Sequence, residues 1–321
     1  MTQPVIMYPY NENQINIDDY VLINKKVLKF VGLYPTNIVR YIVCCVCMFT
    51  IIIPQTVQIY QDWQDLAIVL ETSSVLLTIL LAILKSLIWM YNRGKMDPFI
   101  DYMLTDYWRI MTTQITKYAD VYATYARKLT KGYVFLICNS LLFFFSLPLI
   151  EIFITTLAGF NDNSTKHFPF LALYPKSYYN FPIYEIVYLS QMVATSLCGL
   201  IILGTDTLIA TALFHTCGQF KILQEKIKNI TAKVIFVQHT HSEENSVQKV
   251  KLQITHIIKH HYTILRFCDY MEMVFSPMLF LQTLASSLII CLVGLQVTTA
   301  SITQISLKIC HYIANLYMEF F

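Results

Sequence analysis

Five long apolar runs, at residues 41–60, 66–90, 133–158, 183–214 and 267–297, dictate what this chain can become. A hydrocarbon core about 30 Å thick takes roughly 20 helical residues to cross, and each run reaches that length. A sixth run begins near residue 302 and continues to Phe321, carrying Lys308 and Glu319. The chain as a whole is 56% apolar and 13% charged. Soluble domains carry about a quarter charged residues, so a water-soluble core could not hide this much apolar surface. The sequence predicts an all-α integral membrane protein, a helical bundle with six spans. The segment up to Tyr20 is polar and acidic and holds no apolar core of a cleavable signal, which leaves the first run as the insertion signal.

Basic residues orient the bundle, because Lys and Arg accumulate on the cytoplasmic side. Nineteen lie before the first run, between the second and third, or between the fourth and fifth. Only Lys166, Lys176 and Lys308 fall on the other side. The N-terminus is therefore expected inside. Tyr60 and Trp63 suit an outer interfacial belt, Trp89 and Tyr91 an inner one, and Lys85 sits where it could snorkel to the inner headgroups. The connections 97–131 and 217–266 are not featureless: Phe220, Leu223, Ile227 and Ile230 recur at helical spacing, as expected of membrane helices continuing into the cytoplasm. The polar stretch 239–246 reads as a solvated turn. Two regions follow, a cytoplasmic N-terminal segment 1–40 and a transmembrane helical domain 41–321.

No constellation for catalysis is present: there is no phosphate-binding glycine loop and no GxSxG, so an enzyme is not expected. The cysteines lie in or beside apolar runs and read as small hydrophobes. His256 and His260 share a helical face, but His261 and Lys259 crowd them, and a solvated face is the simpler reading than a metal site. No cofactor, no metal and no nucleic acid are implied. Glu71, Glu151, Glu185, Asp206 and Glu272 are ionisable residues in or at the edges of the runs. Such residues usually face protein or water; they could form a proton relay or simply pair with neighbouring helices. Asn163-Ser-Thr165 is a glycosylation sequon on the side assigned to the exterior, whereas Asn229-Ile-Thr231 falls inside.

Four segments resemble the insect odorant receptors: Gly32-Leu-Tyr-Pro35; Phe170 through Gln191, with Tyr174-Pro175, Pro182, Tyr184 and Tyr188; Asp206-Thr-Leu running to Cys217-Gly-Gln219 and Leu223; and His256 through Cys291, with Phe267, Glu272, Phe275, Gln282, Ser286 and Ser287. The resemblance implies a seven-helix subunit with an inverted topology. Such a subunit joins a shared co-receptor in a hetero-tetrameric, ligand-gated, non-selective cation channel in the plasma membrane of olfactory sensory neuron dendrites. It also implies a small volatile apolar ligand held in the outer half of the membrane, surrounded by lipid. Against that pattern the sequence ends within the sixth helix, and the pore-lining seventh is missing.

The family supplies no pocket motif, so helix depth nominates odorant-contacting candidates: Ser73 and Leu76; Phe145, Pro148 and Ile152; Tyr188, Gln191, Met192 and Thr195; and Thr303. The physical demand is a mostly apolar cavity with a few hydroxyls or amides to fix orientation. Asp206, Gln219 and His256, nearer the cytoplasm, are candidates for structural or gating roles. A G-protein-coupled receptor would need the opposite orientation, and its Asp/Glu-Arg-Tyr and Asn-Pro-x-x-Tyr motifs are not found. A gustatory-receptor-like channel subunit and a proton-coupled secondary transporter remain as alternatives; the second would draw on Glu71 and Glu151.

Overall fold

The computed structural model describes residues 17–107, 116–157, 167–240 and 244–299. The sixth apolar run, Thr303 and Asn163 lie outside these residues. Among the described residues the secondary structure is helical throughout: α1 (Ile17–Val31), α2 (Ile38–Gln61), α3 (Leu66–Tyr91), α4 (Arg93–Tyr102), α5 (Thr116–Leu157), α6 (Ile183–Thr240) and α7 (Glu244–Thr299). A π-helical turn, Met103–Tyr107, follows α4, and a short 3-10 turn, Lys176–Tyr179, precedes α6. Among the described residues five helices are long and apolar enough to cross a bilayer. Three of them outrun the apolar stretches: α5 starts well before residue 133, α6 continues to Thr240, and α7 begins at Glu244. Over 116–131, 217–240 and 244–266 the amphipathic spacing thus folds as continuation of the membrane helices, whereas residues 97–102 belong to the separate helix α4.

The sequence of α2 shows why the bundle needs lipid. Tyr41, Cys44, Met48, Ile51, Ile52 and Gln55 form its buried face. On the other side Val39, Ile42, Val46, Phe49, Ile53 and Val57 are exposed at helical spacing. Both faces are apolar, a pattern water would not tolerate over such a length. Lipid removes the hydrophobic drive between helices, so close packing and internal hydrogen bonds must hold them together. The central helix α6 meets that need, since it packs against α1, α2, α3, α5 and α7. At Gly204 an added Cβ would lie 3.0 Å from a Leu28 methyl, so the missing side chain is what lets α1 approach so closely.

The Gly32-Leu-Tyr-Pro35 turn has a local cause. Gly32 ends α1 at φ +86°, a left-handed conformation that a Cβ disfavours. The Leu33 N–H donates to the Leu28 carbonyl at 2.9 Å, closing the last turn, while both side chains are buried. A Cβ on Gly32 would also fall 2.7 Å from the Asn37 carbonyl oxygen. Asn37 in turn caps α2 by accepting the Arg40 N–H at 3.1 Å. The turn is stapled to the next helices: the Tyr34 hydroxyl donates to Asp101 (2.5 Å) and the Thr36 hydroxyl to Asp97 (3.0 Å).

Two expectations about the C-terminal end of α3 do not hold. Trp89 is fully buried, its indole N–H donating to the Leu33 carbonyl at 3.1 Å. It anchors the α1–α2 turn rather than standing in an interfacial belt, because that turn folds over it. Lys85 does not snorkel. Its side chain is 1% exposed and its Nζ lies 2.6 Å from Asp206 Oδ1 on α6, a partner at the same depth that outcompetes the longer reach to headgroups. Beyond this pair, Phe99 of α4 stacks on Phe267 (5.1 Å between centroids) and meets Tyr270 and Phe275 edge-on, locking α4 onto α7.

Candidate ligand cavities

At the end of the bundle where residues 167–182 connect to α6, that connection folds inward over the helices. Gln191, completely buried on α6, holds it there. Its Oε1 accepts the Phe170 N–H at 3.1 Å, and its Nε2 donates to the Phe170 carbonyl at 3.2 Å and to the Tyr174 hydroxyl at 3.3 Å. One side-chain amide therefore mimics a peptide partner for Phe170. The Leu173 N–H donates to the Pro54 carbonyl of α2 at 3.3 Å, and the Tyr184 hydroxyl to the His167 carbonyl at 2.8 Å. Phe168, Tyr184, Val187 and Tyr188 pack into a small core of their own. The Tyr188 hydroxyl donates to the Phe145 carbonyl at 2.6 Å and so fastens α6 to α5.

Phe170, placed by this clamp, forms a wall of two cavities. The inner one, about 50 Å³, lies among α3, α5, α6 and α7. Phe144, Leu141 and Ile289 give it an apolar lining, edged by hydroxyls of Ser74, Thr78, Ser140 and Thr195. Ser74, Thr78 and Thr195 donate to carbonyls of their own helices, at 2.9, 3.1 and 2.8 Å. On Ser74 and Thr195 the hydroxyl oxygen keeps acceptor capacity toward the cavity. The volume exceeds the ~10–15 Å³ that a water needs but falls short of the ~150 Å³ of an apolar cavity that admits benzene. Admission of a volatile requires the Phe144 and Phe170 rings to yield.

The outer cavity is larger, about 390 Å³, and lies among α2, α3, α5 and the 167–171 stretch. Pro148, Phe168 and Leu171 form apolar walls, while Gln55, Glu71, Thr72 and His167 bring polar groups. Val75 and Phe170 border both cavities.

The depth-nominated residues divide accordingly. Thr195 lines the inner cavity and Pro148 the outer. Ser73, Leu76, Phe145, Ile152, Tyr188, Gln191 and Met192 line neither. Leu76 and Phe145 pack on the main core, Ile152 and Met192 around Tyr188. Gln191 and Tyr188 position the walls. Depth fixes the level of a residue in the bundle but not its azimuth, and α3 and α5 present Ser74 and Phe144 to the inner cavity instead of Ser73 and Phe145.

At the opposite end, Gln219 is buried and bonded to His260 Nε2 at 2.8 Å. Lys226 Nζ lies 3.4 Å from His260 Nδ1. A cationic ammonium can only donate, so Nδ1 accepts, Nε2 carries the proton and the amide oxygen of Gln219 receives it. The histidine joining α6 to α7 is His260; His256, one turn away, is exposed.

Comparison with known proteins places this architecture. The sequence profile of the family "7tm Odorant receptor" matches residues 65–321. Odorant receptor 13a of Drosophila melanogaster is 29% identical over 158 residues, covering 48% of this chain and 34% of that receptor. Odorant receptor 67a of the same fly is 25% identical over 175 residues, covering 54% and 41%. Each matched stretch thus spans well under half of the relative's length. The solved olfactory receptor OR5 of Machilis hrabei superimposes with a TM-score of 0.64 at 13% identity, covering 94% of this chain and 78% of that one. Its complex with eugenol gives 0.66 at 13% identity, covering 95% and 76%. At that identity the likeness speaks for the fold; the profile match, over most of the sequence, establishes that this chain belongs to the 7tm odorant receptor family.

Proposed function

We propose that this chain is the odorant-binding subunit of a ligand-gated, non-selective cation channel, assembled with a shared co-receptor in the plasma membrane of olfactory neurons. The family match carries the reading. The inner cavity supports it, because an apolar chamber edged by hydroxyl acceptors suits a small volatile with at most one donor group. Residues 1–40 form a cytoplasmic segment in this reading and residues 41–321 the receptor domain.

Current or calcium entry in cells expressing a co-receptor tests it, using this chain as it stands and fused to the final helix of a related receptor. Thr195→Val keeps the shape of the inner cavity and removes one acceptor. For a volatile that donates a hydrogen bond, the half-maximal concentration should rise roughly 2- to 13-fold, the worth of one net hydrogen bond. A hydrocarbon agonist should be indifferent to the change. Silence to a broad volatile panel from both versions, with surface expression confirmed, would overturn the reading.

The distribution of basic residues further supports a cytoplasmic N-terminus. Asn163 should then carry a glycan in eukaryotic cells and Asn229 should not. Endoglycosidase treatment should shift the mobility of the unaltered chain and of Asn229→Gln, but not of Asn163→Gln. A glycan at Asn229 would reverse the assigned orientation.

A further inference from the structure

The outer cavity contains polar groups that the proposed odorant reading leaves unused. Gln55 is completely buried on α2, and neither its Oε1 nor its Nε2 has a hydrogen-bond partner among the described residues. Thr72 on α3 is 1% exposed, and its hydroxyl is likewise unmatched. Both side chains line the same cavity of about 390 Å³. Buried polar groups are nearly always satisfied, so two such side chains on one chamber mark a place where a partner belongs. Glu71 and His167 also line it but are already engaged in interactions of their own.

We propose that this chamber is a second binding site, distinct from the inner cavity, for a small neutral molecule bearing a hydroxyl group. A hydroxyl donates one hydrogen bond and accepts others, and the Gln55 amide offers both an acceptor and donors. Thr72 can complete either role. Apart from Glu71 and His167 the other walls are apolar or aromatic, with Pro148, Phe168, Phe170 and Leu171 available to cover a hydrocarbon or phenyl body. The volume lies within the ~300–1,000 Å³ of small-molecule sites, and the combination of unmatched polar groups with apolar walls fits an amphipathic molecule better than a cluster of waters. A carboxylate would meet Glu71, and the unmatched groups, one amide and one hydroxyl, are themselves neutral and call for a neutral partner. The inner cavity differs in offering hydroxyl lone pairs without an amide. Because Val75 and Phe170 separate the chambers, occupancy of one can be read apart from the other.

The test uses the full chain in lipid nanodiscs and thiol labelling by N-ethylmaleimide, read at individual residues by peptide mass spectrometry. Ile68→Cys reports on the outer chamber without touching Gln55 or Thr72, Thr195→Cys reports on the inner cavity, and exposed Tyr60→Cys controls for reagent access. The probes are 2-phenylethanol and its hydrocarbon counterpart ethylbenzene. The expected result is labelling at position 68 that is lost with saturating 2-phenylethanol and persists with ethylbenzene. Gln55→Leu, close in volume, should abolish the protection while leaving labelling itself unchanged. Equal protection by both probes, or by neither, would overturn the site and leave a water-filled or nonselective space. Absence of labelling at 68 while position 60 reacts would overturn it too. Protection at 195 reports separately on the inner cavity, so the odorant reading can survive the loss of this one.

Discussion

Asp206→Asn should sharply reduce the yield of folded, monodisperse protein, and Lys85→Met should do so as well. Lys85 reaches Asp206 at 2.6 Å with 1% of its own side chain exposed and 18% of its partner's. The Thr205 hydroxyl also faces the carboxylate, at 3.4 Å. Removing one member of a buried pair leaves the other uncompensated, at a cost of about 3–5 kcal/mol. Asn at position 206 keeps the shape and strands a buried ammonium between α3 and α6. Replacing both, as Lys85→Met with Asp206→Leu, removes the desolvation cost together with the attraction. Such exchanges are often neutral or stabilising. Fluorescence-detected size exclusion after a heat step should therefore rank both single variants well below the double variant, with the double variant close to the unaltered chain. Equal behaviour of all four would mean that water reaches the pair and screens it.

That pair also shows what the sequence could disclose. Lys85 and Asp206 are opposite charges in two apolar runs at comparable depth, and their pairing was open to inference from that alone. Reading Lys85 against its own helix end favoured snorkelling, because a single run carries no record of its neighbours. The five spans among the described residues were legible, since hydropathy is set by lipid thickness and every membrane helix must satisfy it. So were the helical extensions, whose apolar spacing persists past the membrane at Phe220, Leu223 and Ile227. The cavities were not. Their walls depend on helix rotation, which decides Ser74 over Ser73 and Phe144 over Phe145, and on the connection 167–182, whose path is fixed by hydrogen bonds rather than by pattern. His260 and His256 pose the same problem one turn apart: their spacing alone puts both on one side of the helix, and only packing buries His260 against Gln219 while His256 stays exposed.

Gln191→Leu should release the connection that carries Phe170. Leucine fills nearly the same volume and is as apolar as the surrounding core, so local packing survives. What disappears is the set of three hydrogen bonds, to the Phe170 N–H, the Phe170 carbonyl and the Tyr174 hydroxyl. A buried group left without its partner costs about 1–3 kcal/mol, and here two of the three are backbone groups that cannot turn away. The segment recovers that energy by lifting toward water, taking Phe170 out of the wall shared by the two cavities. Amide exchange at Phe170 should accelerate by roughly 5- to 150-fold, the range that 1–3 kcal/mol implies, while the buried middle of α6 near Ile201 keeps its protection. Ligand protection at both cavities should weaken together, since one ring borders both. Unchanged exchange at Phe170 in Gln191→Leu would mean that the Phe168, Tyr184 and Tyr188 cluster alone holds the connection, and the clamp would lose its part in shaping the cavities.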